Sequence, residues 1–223
     1  MSNELIRLEN CSKYFKDKCI FDSMNLIIEE GEFISISGSS GDGKTTLLHL
    51  LSLFDRPDKG NYYFKNELIN NESSKKLSDI RLNNFGFVFQ NYNLIPGLSS
   101  IENVSIPFHY LKSFSNEEQL KKIHDLFKTF NLEHVEQQKM ETLSGGEKQR
   151  VAIIRSLVLN PKIIFADEPT GNLDTENRDI VLNLFKKINR EEGIAIVLVS
   201  HDQQCSSIAA KQYKITDKKV ALL

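Results

Sequence analysis

A glycine-rich stretch near the start of the chain carries the strongest chemical signal. Gly38-Ser39-Ser40-Gly41-Asp42-Gly43-Lys44-Thr45 matches the pattern G-x-x-x-x-G-K-[ST] at every fixed position. In this pattern the backbone N–H groups face phosphate oxygens, the lysine reaches the β- and γ-phosphates, and the final hydroxyl ligates Mg²⁺. The helix predicted to follow, from Thr46, presents its positive end to the same anion. The stretch therefore predicts that Gly38 to Thr46 bind a nucleotide with Mg²⁺.

The sequence contains four apolar runs. Polar residues follow three of them, and the glycine-rich stretch follows the first. The runs are Phe33–Ser37, Phe85–Phe89, Ile163–Ala166 and Ile194–Val199. Continuous apolar runs with helical segments between them are typical of a parallel sheet that is buried on both faces. Parallel strands place their carboxyl ends at one edge, where ligands of open α/β sheets bind. The residues that we expect there, beside the phosphates, are Gln90, Asp167, Glu168 and His201.

These residue types suit phosphoryl transfer to water. Asp167 can hold Mg²⁺, directly or through its water, and so complement Thr45. Gln90 can bind both the metal and the attacking water. Glu168 can orient or deprotonate that water, and His201 can touch the γ-phosphate or hold the water in line. We predict Glu168, His201 and Gln90 as catalytic residues and Thr45, Gln90 and Asp167 as metal ligands.

The N-terminal segments predict a second, smaller sheet. Leu5–Glu9, Phe21–Ile28 and Asn61–Phe64 lean towards β structure and are bounded by turns, which predicts an antiparallel sheet beside the nucleotide core. Tyr14 and Phe15 fall in this region. An aromatic ring there can stack on adenine or pack locally, and the residues alone leave both interpretations open.

A helical region is predicted from about residue 91 to 160. Ser99–Glu102 and Ser115–Glu118 fit the S-x-x-E capping box. Leu143-Ser144-Gly145-Gly146-Glu147 also begins a helix with S-x-x-E, yet each glycine in the first turn disfavours a helix by about 1 kcal/mol. This cost indicates that exposed N–H groups are needed there for an anion.

Composition narrows the class of protein. The 223 residues suffice for one large domain or two closely packed ones, and the formal charge of −2 gives no basic field for nucleic acid. No apolar run approaches the roughly 18 to 20 residues that span a bilayer, and the polar start Met1–Glu4 does not resemble a signal peptide. The three cysteines lack metal-type spacing. We therefore expect a cytosolic chain with reduced thiols and no nucleic-acid partner.

Taken in order, these motifs resemble those of the ATP-binding cassette (ABC) ATPases. Leu143–Glu147 is similar to the LSGGQ signature, and it stands between Gln90 and the Asp167-Glu168 pair. The resemblance covers nearly the whole chain and implies a single domain over 1–223. It implies an α/β P-loop NTPase (RecA-like) core with an N-terminal antiparallel β subdomain, over 1–90 and 161–223, and an inserted α-helical subdomain over 91–160.

The resemblance also implies how the site is completed. It implies a head-to-tail homodimer that sandwiches two ATP molecules, each between one subunit's phosphate loop and the other subunit's signature residues. Those residues are Ser144, Gly145, Gly146 and Glu147. Asn172-Leu173-Asp174 resembles the D-loop, so Asp174 lies near the opposite site. By family position Phe15, rather than Tyr14, stacks on adenine. ATP binding closes the dimer and hydrolysis opens it, which drives membrane subunits.

A narrower resemblance concerns the partner. Phe87–Pro96, Ile101–Val104 and Ala166–Asp174 resemble the ATPase subunits of lipoprotein-release, macrolide-efflux and antimicrobial-peptide-resistance transporters, as does the lack of a regulatory domain after Leu223. This resemblance implies a peripheral position on the inner face of the cell membrane. A permease is then expected in the groove near Tyr92–Leu98, where exposed apolar residues also fit plain loop packing.

Some residues depart from the family pattern. Ser39 replaces the usual proline, and Asp42 places a carboxylate close to the triphosphate. If that charge is not offset, nucleotide affinity falls by about 1 kcal/mol at an exposed site. Thr45 keeps the hydroxyl, and Glu147 is a familiar variant of the signature glutamine. No catalytic group is lost, so we expect an active ATPase.

Some of the same motifs are compatible with other functions. A regulatory ATPase of the cell-division type, which signals through a permease-like partner without transport, is the alternative, and only the partner separates the two. An ABC ATPase acting on DNA or ribosomes is disfavoured, because the segment between Lys44 and Ser144 is too short for a long coiled coil and no basic stripe is present. A P-loop kinase or GTPase leaves Leu143–Glu147 and His201 without a role.

Overall fold

The computed structural model describes residues 3–111 and 115–223. Met1 and Ser2 of the polar start, and residues 112–114 of the predicted helical region, lie outside the described residues. The strands in the described part are β1 (Glu4–Phe15), β2 (Lys18–Glu29), β3 (Phe33–Ser37), β4 (Lys59–Phe64), β5 (Glu67–Leu68), β6 (Phe85–Phe89), β7 (Ile163–Asp167), β8 (Ala195–Val199), β9 (Lys211–Thr216) and β10 (Lys219–Leu222). The α-helices are α1 (Lys44–Leu51), α2 (Ser74–Asn84), α3 (Ser100–Ser105), α4 (Asn116–Thr129), α5 (Gly145–Leu157), α6 (Thr175–Glu192) and α7 (Gln203–Ser206).

The larger sheet contains the four predicted apolar runs as neighbouring strands. Its order is β10-β9-β3-β8-β7-β6, and every pair is parallel except β9 with β10. All five residues of β8 are buried, as a parallel strand covered on both faces requires. Asp167 pairs with Phe89 on one side and Val199 on the other. The three strands β6, β7 and β8 therefore end level with one another, and the residues that follow them share one edge.

The smaller sheet is antiparallel, as predicted, with the order β2-β1-β4-β5. It packs against the larger sheet through an edge-to-face contact between Phe64 and Phe85, whose ring centroids are 5.5 Å apart. Within the larger sheet, Phe85 in turn packs edge to face against Phe165 at 5.2 Å. One hydrophobic core therefore joins the two sheets around α1. This core fixes β1 and β2 beside the loop that follows β3.

The helical region forms a second core against the other face of the larger sheet. Ser99, Ser115 and Ser144 each accept a bond from the backbone N–H three residues on, and the glutamate at that position bonds back to the serine. On α4, Ile123 and Phe127 are fully buried. Within residues 3–111 and 115–223, no helix combines the length and apolar character needed to cross a bilayer.

Candidate nucleotide site

The glycine-rich stretch forms the loop between β3 and α1. Gly41 and Gly43 have φ angles of 87° and 99°, in the left-handed region that favours glycine. A Cβ atom at Gly43 would lie 2.8 Å from Cγ2 of Ile20 and 3.1 Å from Cζ of Phe21, whereas one at Gly41 would meet no atom within 4 Å. Gly43 is therefore required for both space and backbone conformation, and Gly41 for conformation alone. The smaller sheet supports the loop from behind.

Two charged side chains of the loop bond to its own backbone. Nζ of Lys44 donates to the carbonyl oxygens of Gly38 at 2.8 Å and Ser39 at 3.0 Å. The carboxylate of Asp42 accepts a bond of 2.6 Å from the N–H of Ser39. This amide partly offsets the charge of Asp42, which reduces the loss of nucleotide affinity expected from the sequence.

A cleft of about 410 Å³ joins this loop to the carboxyl edge of the larger sheet. The residues that line it are Ser40, Gly41, Gly43, Lys44, Thr45, Thr46, Gln90, Asp167 and Glu168. The adjacent strand ends explain the convergence, since β6, β7 and β8 stop at the same level. The cleft thus gathers most of the predicted loop residues and three of the four polar residues predicted at this edge.

His201 joins the cleft through Glu168. Oε1 of Glu168 accepts bonds from the backbone N–H of His201 at 3.0 Å and from its Nδ1 at 2.8 Å. Oε2 accepts a bond of 3.2 Å from the hydroxyl of Ser200. The backbone of Glu168 has a φ of 45°, uncommon for a non-glycine residue, and its N–H donates to the carbonyl of Val199 at 2.9 Å. Both carboxylate oxygens are therefore held in defined positions.

Ser200 is a site residue that the sequence analysis did not select. Its hydroxyl also accepts a bond of 3.1 Å from the N–H of Asp202, so it orders the turn that carries His201 as well as the carboxylate of Glu168. The available signal was its position, directly after a buried run and directly before the selected histidine. Serine at a strand end is common in ordinary turns, which is why the residue type alone indicates nothing.

The cleft offers oxygen ligands of the kind that Mg²⁺ prefers. Burial, and then the neighbouring Glu168 carboxylate, raise the pKa of Asp167, while His49 and Lys44 act in the opposite sense. A buried carboxylate of this kind is stabilised by a nearby cation. Nε2 of Gln90 donates to Oδ1 of Asn172 at 3.3 Å, so its amide oxygen is not used in that contact. The hydroxyl of Thr45, this amide oxygen and the Asp167 carboxylate fit a hard divalent cation.

The two aromatic candidates for adenine differ in their surroundings. The ring of Tyr14 faces Nζ of Lys59, which lies 5.5 Å from the ring centroid. Phe15, at the end of β1, is 70% exposed. The ring of Phe15 is therefore open to a ligand, whereas that of Tyr14 faces a lysine.

The signature residues lie together but outside the cleft. Oε2 of Glu147 accepts bonds from the N–H of Ser144 at 2.8 Å and from its hydroxyl at 2.6 Å. A Cβ atom at Gly146 would overlap Oδ1 of Asn177. The backbone N–H of Asn177 donates a hydrogen bond of 2.8 Å to the Asp174 carboxylate. Within one chain the signature therefore lies against Asn177, which bonds to Asp174 of the D-loop segment, and it does not contribute to the cleft lining.

A parallel α/β sheet with a glycine-rich phosphate loop at its carboxyl edge defines a P-loop nucleotide-binding protein. The family model described as "ABC transporter" matches residues 21–171. The chain belongs to this family, and it is an ATP-binding cassette that hydrolyses ATP.

Individual relatives agree with this assignment. The lipoprotein-releasing system ATP-binding protein LolD of Francisella tularensis subsp. holarctica is 37% identical over 227 residues, which cover 100% of this chain and 98% of that protein. The uncharacterized ABC transporter ATP-binding protein MJ0796 of Methanocaldococcus jannaschii is 40% identical over 97% of this chain and 95% of its own. A solved dimeric structure of the MJ0796 cassette, in a post-hydrolysis state bound to ADP and Pi, matches with a TM-score of 0.87 and 38% identity, covering 96% of each chain.

Proposed function

We propose that this chain is the ATP-hydrolysing subunit of a transporter, works as a head-to-tail homodimer with Mg²⁺, and lies on the inner face of the cell membrane against a permease. The cleft that joins the phosphate loop to Gln90, Asp167 and Glu168 carries the proposal. The names of relatives support a membrane partner. A relative is named for lipoprotein release, and the macrolide export ATP-binding/permease protein MacB of Pasteurella multocida is 38% identical, although this chain spans only 34% of that protein.

The residues of the cleft divide the work of hydrolysis. The N–H groups of the loop and the Lys44 ammonium bind the phosphates of ATP, and Phe15 stacks on its adenine. Mg²⁺ held by Thr45, Gln90 and Asp167 supplies charge neutralisation on the phosphates when it is bound. Glu168 accepts the proton of the attacking water. His201 and Ser200 fix that carboxylate, so it costs little reorganisation when the reaction occurs.

A second copy of the chain completes the site. Ser144, Gly145 and Gly146 begin α5 outside the cleft of their own chain, so they reach a nucleotide only in the site of a partner subunit. The N–H groups in the first turn of this 13-residue helix then face the γ-phosphate. Glu147 holds Ser144, and Asp174 begins α6 beside the same signature.

The permease site that we propose is the groove formed by the loop after β6. A hollow of about 170 Å³ there is lined by Asn91, Tyr92, Leu94, Pro96, Met140, Glu141 and Lys148. The backbone at Tyr92 and Asn93 has positive φ, and the guanidinium of Arg155 donates to both of their carbonyl oxygens. The N–H of Gly97 donates to Glu141 at 2.7 Å. The loop is therefore held in one conformation, which favours binding of a partner because little entropy is lost.

The catalytic part of the proposal is tested by steady-state ATPase rates. We expect Glu168→Gln to lower kcat by roughly 10² to 10⁴-fold with nucleotide binding retained. Glu192→Gln, which removes an exposed carboxylate at the end of α6, serves as the matched control and should leave the rate unchanged. A Glu168→Gln rate equal to that of the unaltered chain would contradict the assigned role.

The partner is tested by purifying tagged Glu168→Gln protein from native membranes in mild detergent with ATP and Mg²⁺. We expect a polytopic permease to co-elute. Ile95→Asp, at a residue that is 48% exposed on the same loop, between the groove residues Leu94 and Pro96, should abolish that co-elution. Leu68→Asp on β5, where the side chain is 50% exposed, is the control and should not alter it. Recovery of soluble dimer alone, or of ribosomal or DNA-associated proteins, would exclude the transporter assignment.

A further inference from the structure

An asparagine in the loop after β7 contacts Gln90 through both ends of its amide group. Nδ2 of Asn172 donates to the carbonyl oxygen of Gln90 at 3.0 Å and to Oδ1 of Asn91 at 3.2 Å. Oδ1 of Asn172 accepts a bond of 3.3 Å from Nε2 of Gln90. An asparagine side chain has one NH2 group and one oxygen. Both polar atoms of Asn172 are therefore used on Gln90 and the residue that follows it.

These contacts decide which end of the Gln90 amide can meet a cation. A backbone carbonyl oxygen only accepts hydrogen bonds, so the NH2 group of Asn172 must face the carbonyl of Gln90. The oxygen of Asn172 must then meet a donor, and Nε2 is the donor of the Gln90 side chain. Oε1 of Gln90 is thus the end that remains for a metal. A rotation of this amide by half a turn would replace that oxygen by an NH2 group, which does not ligate Mg²⁺.

The backbone around Asn172 allows this close approach. β6 and β7 are neighbouring parallel strands, so the residues that follow them leave the sheet side by side. The N–H of Gly171 donates to the carbonyl oxygen of Glu168 at 3.1 Å, which closes the turn before Asn172. A Cβ atom at Gly171 would lie 2.7 Å from Nε2 of Gln90, too close for two atoms that are not bonded. The glycine therefore leaves the Gln90 amide the space that it occupies.

We propose that Asn172 is a positioning residue for metal binding, because it orients the Gln90 amide with its oxygen towards the Mg²⁺ of the bound nucleotide. Asn172 acts through Gln90, which lines the nucleotide cleft. The inference rests on the proposed role of Gln90 as a metal ligand. A residue that holds a ligand in its binding orientation raises metal affinity, and its loss typically costs about 10 to 100-fold. Through Asn172 the D-loop segment acts on the site of its own chain.

The test measures the Kd for Mn²⁺, which takes the same oxygen ligands as Mg²⁺ and is detected by electron paramagnetic resonance while it is free in solution. The intact chain is kept in excess over the non-hydrolysable ATP analogue AMP-PNP. We expect Gln90→Ala to raise this Kd by about tenfold or more, and Asn172→Ala to raise it by about three- to tenfold. Asn172→Ala should leave the Kd for AMP-PNP in EDTA unchanged, because Asn172 contacts Gln90 and its neighbour.

Two further variants separate the orientation of the Gln90 amide from a general disturbance of the loop. Gly171→Ala displaces that amide without altering the polar atoms of Asn172, so it should also raise the Kd for Mn²⁺. Asn91→Ala removes one partner of Asn172 but keeps the carbonyl of Gln90, so it should change this Kd by less than about twofold. In a Gln90→Ala background, Asn172→Ala should have no further effect, because both residues act on one ligand.

Each contrary result has a distinct meaning. If Gln90→Ala raises the Kd for Mn²⁺ and Asn172→Ala does not, the inference is overturned and the metal role of Gln90 stands. An Asn172→Ala effect that persists in the Gln90→Ala background, or one that Asn91→Ala equals, would also overturn it, since Asn172 would then not act through the Gln90 amide. A Kd that Gln90→Ala leaves unchanged would contradict the proposed metal ligand itself, and the inference with it.

Discussion

Nδ1 of His201 lies 2.8 Å from Oε1 of Glu168, although the two residues are 33 positions apart in the chain. The contact exists because β7 and β8 are neighbouring parallel strands that end at the same level, Asp167 being paired with Val199. The side chain of Glu168 is only 16% exposed and that of His201 is 71% exposed. The histidine thus holds the carboxylate from the solvent side of the cleft.

This pairing predicts strongly non-additive kinetics. We expect His201→Ala and Glu168→Gln each to lower kcat by about 10² to 10⁴-fold, because the first loses the orientation of the carboxylate and the second loses the carboxylate itself. The double variant should be no slower than the worse single variant, since both act on one proton transfer. Independent effects that multiply in the double variant would show that His201 does not act through Glu168.

We expect the ionised side chain of Asp167 to lower the free energy of unfolding, although its proposed role in hydrolysis requires it. Its pKa is raised above the ordinary value of 3.8, first by burial, so the folded protein disfavours the ionised form and loses stability as the pH rises above that value. We therefore expect Asp167→Asn to raise the free energy of unfolding at pH 7.5 by about 1 kcal/mol, and the gain to shrink towards pH 4. Urea unfolding in EDTA without nucleotide measures this.

Asp167→Asn should also lose ATPase activity, since it lacks one of the proposed metal ligands. Asp125→Asn, at an exposed position of α4, is the control and should change neither stability nor activity. An unfolding midpoint for Asp167→Asn below that of the unaltered chain at pH 7.5 would show that the charge of Asp167 stabilises the fold.

The effect of Gly146→Ala on the stability of the protein should depend on which residue stands at position 177. Gly146→Ala alone should destabilise the protein by about 1 kcal/mol or more, because its Cβ overlaps Oδ1 of Asn177. In an Asn177→Ala background the overlapping amide group is removed and the nearest atom is Cβ of residue 177 at 3.2 Å, so the helix propensity of alanine should instead stabilise the protein by up to about 1 kcal/mol. Thermal unfolding of the four proteins measures both effects. The same sign in the two backgrounds would exclude the steric explanation.

Adenine stacking on Phe15 can be measured by ADP binding. We expect Phe15→Ala to raise the Kd for ADP by about tenfold, the value of an aromatic contact with a base. Tyr14→Ala, whose ring faces Lys59, should change that Kd by less than about twofold. A larger effect at Tyr14 than at Phe15 would reverse the assignment of the adenine residue.

Much of the fold follows from local patterns in the sequence. The four buried runs predict the parallel strands, and the chemistry at their ends predicts the edge at which Gln90, Asp167 and Glu168 meet. The capping boxes at Ser99, Ser115 and Ser144 also form as the S-x-x-E pattern indicates. In each case the information lies within a few adjacent residues.

Other features depend on contacts between distant residues, which periodicity does not record. Gly146 and Asn177 lie so close together that a Cβ atom at position 146 would overlap the asparagine side chain, and they do so only because α5 and α6 begin side by side. The hydrogen bond from the N–H of Ser39 to the Asp42 carboxylate depends on the conformation of the loop. It reduces the loss of nucleotide affinity that the charge of Asp42 alone predicts.

In the proposed mechanism, two chains close head to tail over ATP. This closure is tested most directly by light scattering after size-exclusion chromatography of Glu168→Gln protein, with and without ATP and Mg²⁺. We predict that the mass doubles only with nucleotide, and that adding Ser144→Arg abolishes the doubling because the signature serine must face the partner's phosphates. A mass that is unchanged by ATP, or a doubling that survives Ser144→Arg, would contradict a site shared between two subunits.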